Sequence, residues 1–268
     1  MATASAAVTE RLSRRSHPVG QVAVLSDVHG NAVALEAVLR ELRAGPEPDL
    51  IVFGGDLTWG PLPEESWALV AHLHSAVFVR GNAERALAEA AERDDIGRDA
   101  ELTERERWMV ERHSPATRAR LADFVESAVV EIEALGPVRF CHGSPRCDEE
   151  LVTFATPEPR MRAMLDGVPE KVLVTAHTHL QFDRRVADIR SINPGSVGMP
   201  YEGQSGAAYW ALLGPEVELQ QTPYDIDEAV RRYRATDDPR AELMVEILVH
   251  PPRPEEVVEH AEAQEFAG

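Results

Sequence analysis

Positive charge, cysteine and long apolar runs are all scarce in this chain, and each shortage excludes something. Lysine and arginine together number 27 against 46 aspartates and glutamates, a net charge of −19 over 268 residues. That deficit argues against a general affinity for nucleic-acid backbones or anionic membranes. It leaves phosphate chemistry open, because metal ions can supply positive charge locally. The two cysteines, Cys141 and Cys147, are too few for a disulfide framework and fit a reducing compartment. No stretch approaches the roughly 18 apolar residues of a membrane-spanning helix. Residues 1–18 hold arginine and serine but no apolar core of a secretory signal. They read as a disordered N-terminal tail, and the protein is expected in the cytoplasm.

What is present is an α/β pattern. Short apolar, β-branched runs at 21–26, 50–53, 76–79, 138–140, 171–175 and 188–192 read as strands covered on both faces. Between the first two, Leu35, Val38, Leu39 and Leu42 recur at helical spacing, with Asn31 placed as N-cap and Gly45 just past the end. A second helix is expected at 64–74, with Trp67, Val70 and Leu73 on its apolar face. From about 84 to 135 the composition turns to Ala, Glu and Arg, which reads as a helical insertion broken at 94–99. A hairpin is expected from 207–213 and 216–222, then an acidic helical region from about 225, broken between Pro251 and Pro254. Strands alternating with helices make one α/β domain over 19–268.

The strand ends carry the chemistry. In order they give Asp27 and His29, then Asp56, Asn82, His142, and finally His177 and His179. In an open α/β sheet the C-terminal strand tips share one rim, where such folds place their sites. Alone, each residue is ordinary: an aspartate at a strand end is commonly a turn former, and a single buried histidine is usually structural. The conjunction D-x-H, GD, GN, H, H-x-H is what points to metal. Carboxylate, amide and imidazole ligands favour borderline divalent ions such as Mn, Fe, Co, Ni or Zn. Seven ligands exceed the needs of one four-coordinate ion but suit two ions sharing a carboxylate. Two ions about 3.5–4 Å apart can polarise a phosphoryl group and hold a bridging hydroxide for in-line attack. The helix beginning near Asn31 would turn its positive end to the same rim.

Those blocks in that order resemble the signature of calcineurin-like metallophosphoesterases, over roughly residues 22–224. SDVHGN, Trp59-Gly60-Pro61 and INPGSVGMP (192–200) look most like the small prokaryotic phosphodiesterase branch. The resemblance implies an α/β/β/α sandwich with a dinuclear centre. One metal would take Asp27, His29, Asp56 and His179, the other Asp56, Asn82, His142 and His177, with Asp56 bridging. Two features depart from the family: Ala83 stands where a histidine often assists the leaving group, and Ala176 replaces a glycine before H-x-H. Arg80 and Arg146 are candidates to hold phosphate oxygens. Glu84 is a candidate to orient a ligand, and Trp59 to wall the pocket. His72, His74 and His113 read as structural or exposed, and Cys141 as a small buried residue.

The expected function is a metal-dependent phosphodiesterase using two divalent ions, Mn foremost, on a small phosphoester or nucleotide. Asp56, Asn82, His142 and Arg146 form its catalytic set. A phosphomonoesterase or nucleotide pyrophosphatase on the same centre is one alternative. A non-catalytic metal-binding scaffold is another.

Overall fold

In the computed structural model, which describes residues 12–93 and 103–264, the apolar runs become strands of two stacked sheets, all of them inner except the run at 76–79, which lies at an edge. The chain begins with β1 (Leu12–Val19), β2 (Val22–Leu25), α1 (Ala32–Ala44), β3 (Leu50–Phe53), α2 (Pro63–Val70) and β4 (Ala76–Phe78). Then come α3 (Asn82–Ala91), α4 (Glu104–Arg112), α5 (Pro115–Ala122), β5 (Ser127–Ile132), β6 (Gly136–Cys141) and α6 (Glu158–Met164). After β7 (Val172–Val174), β8 (Gln181–Val186) and β9 (Ile189–Pro194), the hairpin β10 (Ala207–Leu213) and β11 (Val217–Pro223) leads into α7 (Ile226–Arg234), α8 (Ala241–Val249) and α9 (Pro254–Glu262).

One sheet runs β11-β10-β2-β3-β4 and the other β1-β5-β6-β7-β9-β8. Their inner faces meet through Val22, Val24 and Leu50 on one side and Val138, Phe140 and Ile192 on the other. The alternate side chains of β2, Ala23 and Leu25, face outward against helices α1 to α5. Cys141, Leu173 and Phe182 do the same on the second sheet, against α6 and α9. The result is the expected α/β/β/α sandwich. β2, β3 and β4 are mutually parallel, as are β6 and β7, so their C-terminal ends can converge. In α1, Leu35, Val38, Leu39 and Leu42 are all buried. The Asn31 side chain caps the helix by accepting from the Ala34 N–H at 3.1 Å. No helix among the described residues is long and apolar enough to cross a membrane.

Several expectations need correction. Residues 12–18 are not tail: they belong to β1, which pairs in parallel with β5 in register Leu12↔Ser127 to Arg15↔Val130. Arginines and Pro18 conceal a strand because an edge position tolerates them; the register breaks before Val19, where the proline falls. The rest of the expected tail lies outside the described residues, as does the break at 94–99. The helical insertion is also shorter than expected. Ser127–Ile132 forms β5, which folds back on β6 through a turn with Gly136 at φ +71°. Its Ala and Glu match the preceding helices in composition, and only pairing on both edges makes it a strand. The helix expected at 64–74 ends at Val70.

Candidate metal centre

The five strand tips meet because their loops are hydrogen-bonded to one another. N–H groups of Asp27, His29 and Gly30 donate to the carbonyls of Gly55, Asp56 and Leu57 at 3.1, 2.9 and 3.1 Å, fastening the β2 loop to the β3 loop. From the far end of the chain, the Ser196 hydroxyl and the Gly198 N–H both donate to the Asp27 carbonyl. This approach leaves no room for side chains. A Cβ on Gly198 would lie 1.7 Å from the Val28 carbonyl oxygen, and one on Gly60 1.7 Å from that of His29. The backbone is also strained here. Asp27, His29, Asp56, His177 and His179 all lie in the left-handed region, at φ between 47° and 64°. Among the described residues only one other non-glycine, Ala187, has positive φ. Such conformations cost on the order of 1–3 kcal/mol each and persist where surrounding contacts over-determine them. The strain is concentrated at the site.

The side chains fall into two adjoining groups. Asp27, His29 and His179 form one, and Asp56, His142 and His177 the other, with ligand atoms in each group within 4.8 Å of one another. His29 Nε2 lies 3.1 Å from His179 Nε2, and Asp27 Oδ1 is 3.3 Å from His179 Nε2. In the second group His142 Nε2 lies 3.1 Å from His177 Nδ1 and 3.0 Å from Asn82 Oδ1. Asp56 stands between the groups: its Oδ2 is 3.6 Å from His29 Nε2, and its Oδ1 3.5 Å from His142 Nε2.

Proton positions show that this arrangement fits cations. His29 Nδ1 faces the Trp59 carbonyl at 3.2 Å and His179 Nδ1 the Met199 carbonyl at 2.6 Å. Carbonyls only accept, so both Nδ1 atoms carry a hydrogen and the two Nε2 atoms are turned toward each other. Asp27 Oδ1, buried in the same group, has no hydrogen-bond partner among the described residues. His142 repeats the pattern, with Nδ1 donating to the Gly54 carbonyl at 2.8 Å. Converging buried acceptors without donors are costly unless a positive charge joins them. Burial pushes His29 down to about 4, although the Asp56 carboxylate works against it. Burial and the neighbouring His142 push His177 down to about 4 as well. Both therefore present neutral, ligating nitrogens at pH 7. At His142 burial is outweighed by Asp56, by Asp27 and by the Gly54 carbonyl, which raise it to about 10. A proton satisfies the acceptors there, as a metal cation would. The N and O donor set suits borderline divalent metals.

A family model for the calcineurin-like phosphoesterase superfamily domain matches residues 21–213. The chain belongs to that superfamily. This calcineurin-like chain shares its fold with a hypothetical protein of Pyrococcus horikoshii, at 22% identity and a TM-score of 0.74 over 87% of this chain and 99% of the other. A metallophosphoesterase of Sphaerobacter thermophilus is similar at 24% identity and a TM-score of 0.68, covering 86% of this chain and 98% of the other. The sequence matches no curated protein. The superfamily is metal-dependent, and the two side-chain groups are where this member could hold its ions.

The remaining candidates separate clearly. Glu84 is 2% exposed and accepts from the N–H groups of Asp56, Leu57 and Gly81 at 2.8–2.9 Å. It therefore shapes the loops that carry Asp56 and Asn82 and belongs to neither group of candidate ligands. Burial and the Asp56 charge raise it to about 7, against the pull of those three donors. Glu84→Gln would turn an amide NH₂ toward backbone donors. We expect a loss of about 1–3 kcal/mol, read by urea denaturation, since a buried backbone donor is left without an acceptor. Ala176 packs on Gly54, 3.5 Å from where a Cβ there would be, which explains why the extra methyl is accommodated. Trp59 contributes its carbonyl to His29, while its side chain packs against the outer core. His113 is buried, bonding the Met109 carbonyl and the Thr58 hydroxyl, and so ties the insertion to the β3 loop. His72 and His74 are exposed, and Cys141 is buried. The Arg146 guanidinium is held by Glu150 and that of Arg80 by Glu126. Sequence reasoning missed Tyr201, stacked on His179 with ring centroids 4.5 Å apart; its only signal was its place just after INPGSVGMP.

Proposed function

We propose that this protein is a metal-dependent phosphodiesterase built around two divalent ions, Mn foremost, that share Asp56. The observation that carries the reading is the placement of the Asp56 carboxylate, with one oxygen facing each group of acceptors. Asp27, His29 and His179 would complete one site, and Asn82, His142 and His177 the other. When bound, the ions polarise the phosphoryl group and supply hydroxide from water near neutral pH. The chain's own part is orientation. The carbonyls of Trp59, Met199 and Gly54 hold three imidazoles with Nε2 inward, and Glu84 fixes the backbone beneath Asp56. The likeness of SDVHGN, Trp59-Gly60-Pro61 and INPGSVGMP to the phosphodiesterase branch supports a diester substrate. The test is nitrophenolate release from bis(p-nitrophenyl) phosphate with added Mn. Turnover should vanish on chelation and return on re-addition. Hydrolysis of p-nitrophenyl phosphate alone would make the protein a monoesterase, and metal binding without turnover of either would make it a scaffold.

A further inference from the structure

Against His142 lies a cavity of about 250 Å³ whose wall includes three guanidinium groups, those of Arg80, Arg85 and Arg146. The three are not equivalent. Arg85 commits all three nitrogens, to Asp148 at 2.8 Å, Glu149 at 2.5 Å and Glu89 at 3.3 Å. It is a strut between α3 and the loop at 148–149. Among the described residues the Arg80 side chain makes one bond, from Nη2 to Glu126 at 3.1 Å, and its buried Nε has no partner. Arg146 uses Nε and Nη2 on Glu150, at 3.3 and 2.5 Å, which holds the plane of the guanidinium and leaves the Nη1 edge uncommitted among the described residues. A buried donor without an acceptor is costly, and a guanidinium edge is the group best matched to a phosphate.

We propose that this cavity is a subsite for a second phosphate group of the substrate, gripped by Arg80 and Arg146, while the reacting phosphoryl group sits at the metal centre beyond His142. The substrate class is then a phosphodiester or phosphoanhydride with a further phosphate close to the scissile phosphorus. Which bond breaks rests on the function proposed above; occupation of the subsite does not. Glu126 and Asp148 line the same cavity, so it is no general basic patch. An incoming anion competes with Glu126 for the Arg80 fork, and only a dianionic, bidentate group competes well.

Calorimetric titration of the Mn-equilibrated full chain with methylphosphonate and with methylenediphosphonate tests this without turnover. Arg80→Ala should weaken methylenediphosphonate about tenfold, the loss of one charge-assisted fork, while methylphosphonate stays within about twofold. Glu126→Gln removes the competing carboxylate and should tighten methylenediphosphonate, a gain that damage to the fold does not produce. A parallel fall for both anions in Arg80→Ala would overturn the proposal, placing Arg80 at the reacting phosphoryl group. Unchanged affinities in both variants would also overturn it, leaving Arg80 as a partner of Glu126 only. Nitrophenolate release, measured separately, reports on the phosphodiesterase reading alone.

Discussion

Asp56→Asn should lower diester turnover on the order of 10³-fold and leave at most one Mn per chain, because it removes the charge that both ions would share in the proposed centre. The loss should be unequal between the two sites. The Ala83 N–H donates to Asp56 Oδ1 at 3.0 Å, so the asparagine will keep its amide oxygen there. Its NH₂ group then replaces Oδ2, 3.6 Å from the lone pair of His29 Nε2. An N–H donor in that position repels a cation and satisfies the histidine in its place. The Asp27–His29–His179 site should therefore empty first, while the His142 side keeps a weakened ion. Mn stoichiometry by elemental analysis, with kcat/KM on bis(p-nitrophenyl) phosphate, reads both effects. Two ions retained with near-native turnover would show that Asp56 bridges nothing.

The second large effect concerns Ala83. A methyl group carries no proton for a leaving oxygen, and a positioned general acid contributes typically ~10²–10⁴-fold when the leaving group needs one. The native protein should therefore favour aryl diesters, whose phenolate leaves unaided, over matched alkyl diesters. Ala83→His should narrow that preference about 100-fold by raising the alkyl rates. The bond from the residue 83 N–H to Asp56 survives the change, because it belongs to the backbone. Glu84 will not orient the new ring, since its oxygens are committed to Asp56, Leu57 and Gly81. Position 83 is only 5% exposed, so a melting curve and Mn content must accompany the kinetics. An unchanged aryl-to-alkyl ratio in a folded, metal-loaded variant would mean that position 83 does not face the leaving group.

The sequence alone determined what is local. Residue type and position within a run were enough to place Asp27, His29, Asp56, Asn82, His142, His177 and His179 at strand ends, since a buried strand announces itself by its apolar residues and its tip by where they stop. The helical spacing of Leu35, Val38, Leu39 and Leu42, closed by Asn31 and Gly45, made α1 legible for the same reason. Tertiary structure decided everything that depends on contact between distant segments. His29 and His179 meet across 150 residues, and nothing local says that their Nε2 atoms face each other while carbonyls hold the opposite nitrogens. Glu84 read as a candidate to orient a ligand, and only the loop 27 and 28 residues away, whose N–H groups it accepts, shows that it holds backbone. β1 and β5 owe their extended form to each other's edges, so composition misled at both. Arg146 and Arg80 could be read as phosphate ligands from charge alone, but which edge of each guanidinium is uncommitted depends on Glu150 and Glu126. Ligand chemistry is a property of single side chains, whereas donor direction, backbone strain and the pairing of charges exist only once the two sheets have closed on each other.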